Sequence, residues 1–261
     1  MTPRRHYPVV RTGGIFSVTF LFSKFRILMK ILAVDVSTSS GSVALLNEME
    51  LKAEWSLQSA RTHNRRLLKT IDLLLHQVDW TVRDLDGFAV TLGPGSFTGI
   101  RIGISTVKTL AWVLQKPYVG IPTLDALAAP LGFAALPVCT LLDARKKELY
   151  VAFYQPDGNG TCRRSSPYLV TSREHVLKEI QEATLFCGDG WLLHRDWFLR
   201  NLGDQAVELP PPFHTIRAGF VAGLARQRFL QGAGDDPMSS APIYVRASEA
   251  ELQQQNKSTV L

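Results

Sequence analysis

Leu92-Gly93-Pro94-Gly95-Ser96-Phe97-Thr98-Gly99-Ile100-Arg101-Ile102-Gly103 turns a strand into a helix through a loop that carries almost no bulk. The run before it, Leu85 to Leu92, reads as a strand, and the run after it, Ile100 to Leu114, as a helix. Gly93 and Gly95 permit positive φ, and Pro94 fixes the turn. Ser96 or Thr98 offers a capping oxygen to the helix start. A small, donor-rich loop before a helix N-terminus either holds an anion or lets another backbone come close. The bland alternative is a tight strand-to-helix turn with no ligand.

Outward from this loop the period of the apolar residues alternates. Lys30 to Val34, Ser42 to Leu46 and Leu51 to Trp55 read as strands joined by short polar links, which suits antiparallel neighbours. Leu67, Leu68, Ile71, Leu74, Leu75 and Val78 then fall on one helical stripe, within a helix from about Thr62. After the loop and its helix come a strand at Pro117 to Ile121 and a short helix at Thr123 to Leu131. A looser second version begins at Pro137, with strands at Val138 to Leu142, Leu149 to Tyr154 and Tyr168 to Val170. Leu149, Val151 and Phe153 alternate with Tyr150, Ala152 and Tyr154, the pattern of a half-buried strand. A helix capped by Thr171 or Ser172, a strand at Leu185 to Cys187 and a last helix from Ile216 to Leu230 follow. The organisation expected is a duplicated α/β unit: residues 29–136 as one lobe, 137–250 as a second, and a polar tail over 251–261.

Charge argues against a general nucleic-acid binder. The net charge is +6, from 29 Lys and Arg against 23 Asp and Glu. Arg4, Arg5, Arg11, Lys24 and Arg26 supply most of that excess, so the folded body is nearly neutral. Residues 1–28 read as an upstream extension, because a clean first strand begins directly after Met29. The apolar run Ile15 to Phe22 is too short to span a bilayer and no A-x-A-like cleavage site follows it. Cys139, Cys162 and Cys187, without CxxC spacing, read as buried free thiols of a cytosolic protein. The histidines stand at 6, 63, 76, 175, 194 and 214, so no two share a helical turn in metal-ligand spacing.

Asp35-Val36-Ser37-Thr38-Ser39-Ser40-Gly41 places an acid at a strand end before a hydroxyl-rich hairpin. It resembles the first phosphate loop of the actin, Hsp70 and sugar-kinase fold. Joined to the glycine-rich loop it is similar to the TsaB (YeaZ) family. Arg61-Thr62-His63-Asn64-Arg65-Arg66-Leu67-Leu68, Gly120-Ile121-Pro122-Thr123-Leu124, Leu142-Asp143-Ala144-Arg145, Gly188-Asp189-Gly190 and Pro242-Ile243-Tyr244-Val245-Arg246 match as well. The likeness spans about residues 29–250 and is looser in the second half.

The resemblance implies an actin-like (ribonuclease H-like) duplicated fold with a degenerate second lobe, and a cytoplasmic, non-catalytic subunit. Such a subunit pairs with TsaD, the enzyme that threonylcarbamoylates the adenosine beside the anticodon of ANN-decoding tRNAs. A TsaE ATPase joins them, and tRNA is met through the complex. No cofactor of its own is implied, with room left for ATP or ADP at or near the partner interface and for a homodimer when alone. No catalytic or metal residue is carried over. Asp35, Ser37 and Thr38 stand where a vestigial nucleotide contact would be, or simply close a hairpin turn. The family's two first-lobe helices meet TsaD, which implicates Arg61, His63, Arg65, Leu67, Leu68, Ile71, Leu75, Gly99, Gly103, Ile104 and Lys108. Which face of those helices is outward stays open in the sequence. The rival reading is a free-standing actin-like ATPase or small-molecule kinase; it needs intact second-lobe phosphate loops, yet Ala144, Arg145 and Trp191 put bulk there.

Overall fold

Residues 29–58 and 66–245 are described by the structure, a computed structural model. The extension 1–28, the cluster Arg61, His63 and Arg65, and everything from Arg246 onward lie outside the described residues. The first sheet holds β1 (Lys30–Asp35), β2 (Ser40–Asn47) and β3 (Glu50–Gln58) as an antiparallel meander. After α1 (Leu67–Gln77), β4 (Gly87–Thr91) joins parallel to β1. After α2 (Phe97–Val113), β5 (Tyr118–Ile121) joins parallel to β4, giving the order β3-β2-β1-β4-β5.

The short helix α3 (Thr123–Ala128) leads to a second sheet. Its strands are β6 (Val138–Asp143), β7 (Leu149–Pro156), β8 (Cys162–Arg164) and β9 (Leu169–Thr171), then, past α4 (Arg173–Glu179), β10 (Thr184–Cys187). Helix α5 (Asp189–Leu202) and β11 (Ala206–Glu208) complete it, in the order β11-β10-β6-β7-β8 with β9 also on β7. Each sheet is therefore an antiparallel meander followed by two parallel strands on the other side of its first strand. The two halves repeat one plan, the ribonuclease H-like unit doubled into an actin-like fold. Gly93-Pro94-Gly95 and Gly188-Asp189-Gly190 occupy the same corner of each half, between the first parallel strand, β4 or β10, and the helix that follows it.

Strand β1 shows why the sheet sits centrally. Ile31, Leu32, Ala33 and Val34 are all fully buried, as in a strand covered on both faces. Leu32 and Val34 face α1 and α2, meeting Ile71, Leu75, Ile104 and Val107. Ile31 and Ala33 point to the opposite face, where α6 covers them, in a cluster that runs on through Leu124 and Leu127 of α3 to Leu142 and Tyr154 of the second sheet. The last helix, α6 (Ala218–Leu230), returns to the first sheet instead of the second. Ala218, Ala222 and Ala225 give it a small-residue face that lies flat on the strands. Its start is pinned by Ala218 N–H donating to Ser42 Oγ at 3.0 Å and Gly219 N–H donating to Glu54 Oε1 at 2.8 Å. Arg217 pairs with the same Glu54 carboxylate.

Three features depart from the sequence reading. Strand β7 is buried on both faces, because α3 covers the side carrying Ala152 and Tyr154. Cys162 is half-buried, while Cys139 and Cys187 are fully buried. Helix α5 was not anticipated: its outward Leu192 and Leu193 blur the amphipathic stripe, while Trp191 and Phe198 stack on Phe186 at 4.7 and 5.7 Å between centroids. No helix among the described residues is long and apolar enough to cross a membrane.

Candidate functional site

The cleft between the lobes begins at the first hairpin. Asp35 is fully buried at the end of β1. Its Oδ1 accepts from Ser37 N–H (3.2 Å), Ser37 Oγ (2.5 Å) and Thr91 Oγ1 (2.7 Å). Thr38 Oγ1 accepts from Ser40 N–H at 3.1 Å. The loop after β4 closes on this hairpin: Ser96 N–H donates to the Ser37 carbonyl at 2.6 Å, and Gly93 N–H donates to Thr123 Oγ1 at 3.1 Å. Ser96 is the helix cap, its Oγ accepting from Gly99 N–H at 3.3 Å. Backbone donors that would cradle a phosphate are thus turned onto the chain itself.

The glycines explain themselves by the same geometry. A Cβ on Gly95 would stand 2.2 Å from the Ser37 carbonyl oxygen, and one on Gly99 2.1 Å from that of Val36. Gly93, at φ +105°, also takes the left-handed region that side chains avoid. Of the readings the loop allowed, close approach of another backbone is the one realised. The second lobe repeats the device: a Cβ on Gly188 would lie 2.0 Å from the Leu141 carbonyl oxygen. Asp189 Oδ1 accepts from Asp143 N–H at 2.9 Å, and burial pushes the Asp189 carboxyl up. Asp143 also pairs with Arg145 at 3.0 Å, so this corner too is occupied by its own side chains.

A cleft of about 380 Å³ remains between the hairpin and α5, lined by Thr38, Ser40, Gln58, Asp189, Arg195 and His214 among others. Arg195 is bound bidentately to Glu208 there. His214 is buried, with Nε2 3.0 Å from the Leu209 carbonyl, and burial lowers its pKa. Among the described residues no group of three or more His, Cys, Asp and Glu is placed to hold a metal ion.

The lobes are joined by a polar clamp. Asp125 on α3 accepts from Tyr154 OH at 2.7 Å and Tyr168 OH at 2.8 Å, with Arg164 Nε 3.7 Å away. Burial and the Asp125 charge raise the Tyr154 and Tyr168 phenols well above the usual range.

The helix residues singled out in the sequence separate into two groups. Leu67, Ile71, Leu75, Gly99, Gly103 and Ile104 are buried against their own sheet. Leu68 is exposed, and Lys108 is half-buried with Nζ donating to the Ser240 carbonyl at 3.2 Å. An amphipathic stripe reports the face that meets the core, and here that core is the chain's own. The outward face carries Leu68 (60% exposed), Leu73 (53%), Trp112 (59%) and Val113 (64%). The signal for these was in the sequence as apolar residues lying off the stripe.

A family model described as "TsaD: tRNA N6-adenosine threonylcarbamoyltransferase" matches residues 57–253. The tRNA threonylcarbamoyladenosine biosynthesis protein TsaB of Bacillus subtilis (strain 168) is 31% identical over 226 residues, covering 85% of this chain and 96% of that protein. Its namesake in Escherichia coli (strain K12) is 32% identical over 230 residues, with the same 85% and 96% coverage. The solved structure of YeaZ from Pseudomonas aeruginosa superposes with a TM-score of 0.72 at 29% identity, covering 83% of this chain and 99% of that one.

Proposed function

The chain belongs to the TsaB (YeaZ) family, and from that premise we propose that it is a non-catalytic subunit of tRNA threonylcarbamoyladenosine synthesis, binding a TsaD-type transferase and holding it in working geometry. The supporting observation is a contrast. The cleft donors that a kinase would aim at phosphate are engaged by Asp35, Thr38 and the Ser37 carbonyl, while α1 and α2 leave Leu68, Leu73, Trp112 and Val113 exposed among polar residues. Covering these large apolar side chains is what a docking partner would gain. Helix α2, with 17 residues, is about 25 Å long, enough for one side of a standard interface of about 1,200–2,000 Å² in total.

The match to a TsaD model across residues 57–253 makes this chain a relative in fold of its proposed partner, which supports the pairing. Two related first lobes can bring their α1–α2 pairs together in a four-helix contact with pseudo-twofold symmetry. The same face serves a homodimer when the transferase is absent. A TsaE-type ATPase and tRNA join through the pair, and nucleotide is handled at or beyond the partner interface, not in this chain's cleft.

The test is co-elution with the transferase. Trp112→Asp and Leu73→Asp keep the fold, since both side chains are more than half exposed. Loss of an interface tryptophan costs about 2 kcal/mol or more, about thirtyfold in affinity. Binding as tight as wild type in both variants would refute the assignment. Ile71→Asp is not a usable probe, because it buries a charge in the core.

A further inference from the structure

We infer that the start of α2 and the segment following α6 form a platform for an unpaired stretch of RNA, a contact that rests on the role proposed above. The segment Asp235 to Tyr244 is strapped along the first lobe. Arg228 on α6 grips Asp235 at 2.6 Å and donates to the Gly120 carbonyl, while Gly120 N–H donates back to Asp235 at 2.8 Å. Asp235 N–H then donates to the Tyr118 carbonyl, and Ile243 N–H to the Leu92 carbonyl, each at 2.8 Å. This strap carries Tyr244 to the mouth of the glycine-rich loop.

There three side chains stack in the open. The Phe97 and Tyr244 rings lie 5.6 Å apart at 27°. The Arg101 guanidinium sits 3.8 Å over the Phe97 ring, and its Nε donates to Tyr244 OH at 3.0 Å. Phe97 is 44% exposed and Tyr244 43%. Arg101 is exposed and pairs with no carboxylate among the described residues. Beside the stack runs a groove of about 450 Å³, lined by Arg101, Ser105, Lys108, Thr109 and Tyr244 among others, with no carboxylate in its wall. Asp236 lies close enough to feel the Lys108 charge, yet outside that wall.

An exposed aromatic face, a pre-oriented guanidinium plane and hydroxyls beside two cations form the chemistry that recognises single-stranded nucleic acid. Bases stack on the rings and on Arg, and phosphates meet the cations. The folded body is nearly neutral overall, so two cations with no carboxylate in the groove wall are a local excess. An acidic protein segment would answer the charge alone; the stacked, open rings favour the nucleobase.

The experiment uses the full chain with its TsaD-type transferase and a transcript of an ANN-decoding tRNA. Co-elution of the protein pair is recorded first, then tRNA affinity between 50 and 200 mM NaCl. Tyr244→Ala should weaken tRNA binding about tenfold. Arg101→Ala should weaken it and reduce the slope of log K against log salt by about 0.7–0.9, one phosphate's worth. Tyr244→Phe, which keeps the ring and loses the acceptor for Arg101, should fall between. Wild-type tRNA affinity and slope in both alanine variants would overturn the inference. So would loss of co-elution, which would make the platform a protein contact. Failure of the wild-type pair to co-elute would remove the scaffold reading first, before any variant is compared, and this contact with it.

Discussion

Replacing Gly99 and Gly223 separately by alanine should move stability in opposite directions. Both are helical, on α2 and α6, and alanine in place of glycine gains about 1 kcal/mol of helix propensity. At Gly223 nothing lies within 4 Å of the new Cβ, so that gain stands alone. At Gly99 the new Cβ meets the Val36 carbonyl oxygen at 2.1 Å, about 1 Å inside ordinary contact. Overpacking costs about 1–3 kcal/mol where side chains can turn aside. Here backbone meets a helix position, no rotamer can absorb the overlap, and the upper end applies. Moving Val36 also disturbs the Ser96 to Ser37 hydrogen bond and the Asp35 cluster beside it. After the propensity gain is subtracted, Gly99→Ala should lose about 2 kcal/mol, a fall in Tm of about 4–8 °C for a chain this size. Gly223→Ala should rise by about 2–4 °C. Thermal melts followed by far-UV circular dichroism read both. A Gly99→Ala protein as stable as wild type would show that the loop does not carry its glycine for the approach of Val36.

Three further outcomes follow from the geometry. Asp125→Ala leaves the Tyr154 hydroxyl, in a residue 1% exposed, without its acceptor, which costs about 1–3 kcal/mol; urea titration should show it, and Asp125→Asn should lose less. His214 is held neutral in the fold by burial, so its folded pKa lies below the unfolded value. The unfolded chain therefore binds the extra proton, and stability falls as pH drops through the ordinary histidine range near 6.5; His214→Asn should flatten that fall between pH 7.5 and 5.5. Trp112→Asp should leave the melting temperature within about 2 °C of wild type while weakening capture by the transferase about thirtyfold, which calorimetry of unfolding and of binding can read separately.

The order of elements was legible because apolar period changes sharply in this chain. Ile31 to Val34 and Phe88 to Val90 are continuous apolar runs that only a strand covered on both faces requires. Ser96 and Ser172 announced their helices, and both cap them, through Gly99 N–H and His175 N–H. Helix α5 escaped because Gly188-Asp189-Gly190 reads as a turn and its polar content hides the buried Trp191 and Phe198. Strand β8 is three residues long with Arg163 and Arg164 exposed, too short and too polar for any periodic signal. In the cleft, Asp35 and Ser37 were visible as chemistry, and the turn they close was one of the two readings; the further bond on Asp35 was not, since it comes from Thr91, distant in sequence. The face proposed for docking was harder still. Hydrophobic periodicity finds Ile71 and Ile104, which the chain buries itself, and passes over Leu73 and Trp112, whose exposure only the packed sheet discloses. Tyr244 could be placed beside Phe97 and Arg101 only after Arg228 had tied Asp235 to the edge of β5.

Reconstituted threonylcarbamoyl transfer to an ANN-decoding tRNA, by the TsaD-type transferase with and without this chain, bears most directly on the scaffold role. Product should form slowly without the chain, at full rate with it, and slowly again with Trp112→Asp in its place. A transferase that runs equally fast alone, or an ATP turnover of about 1 s⁻¹ or more by the isolated chain, would contradict it.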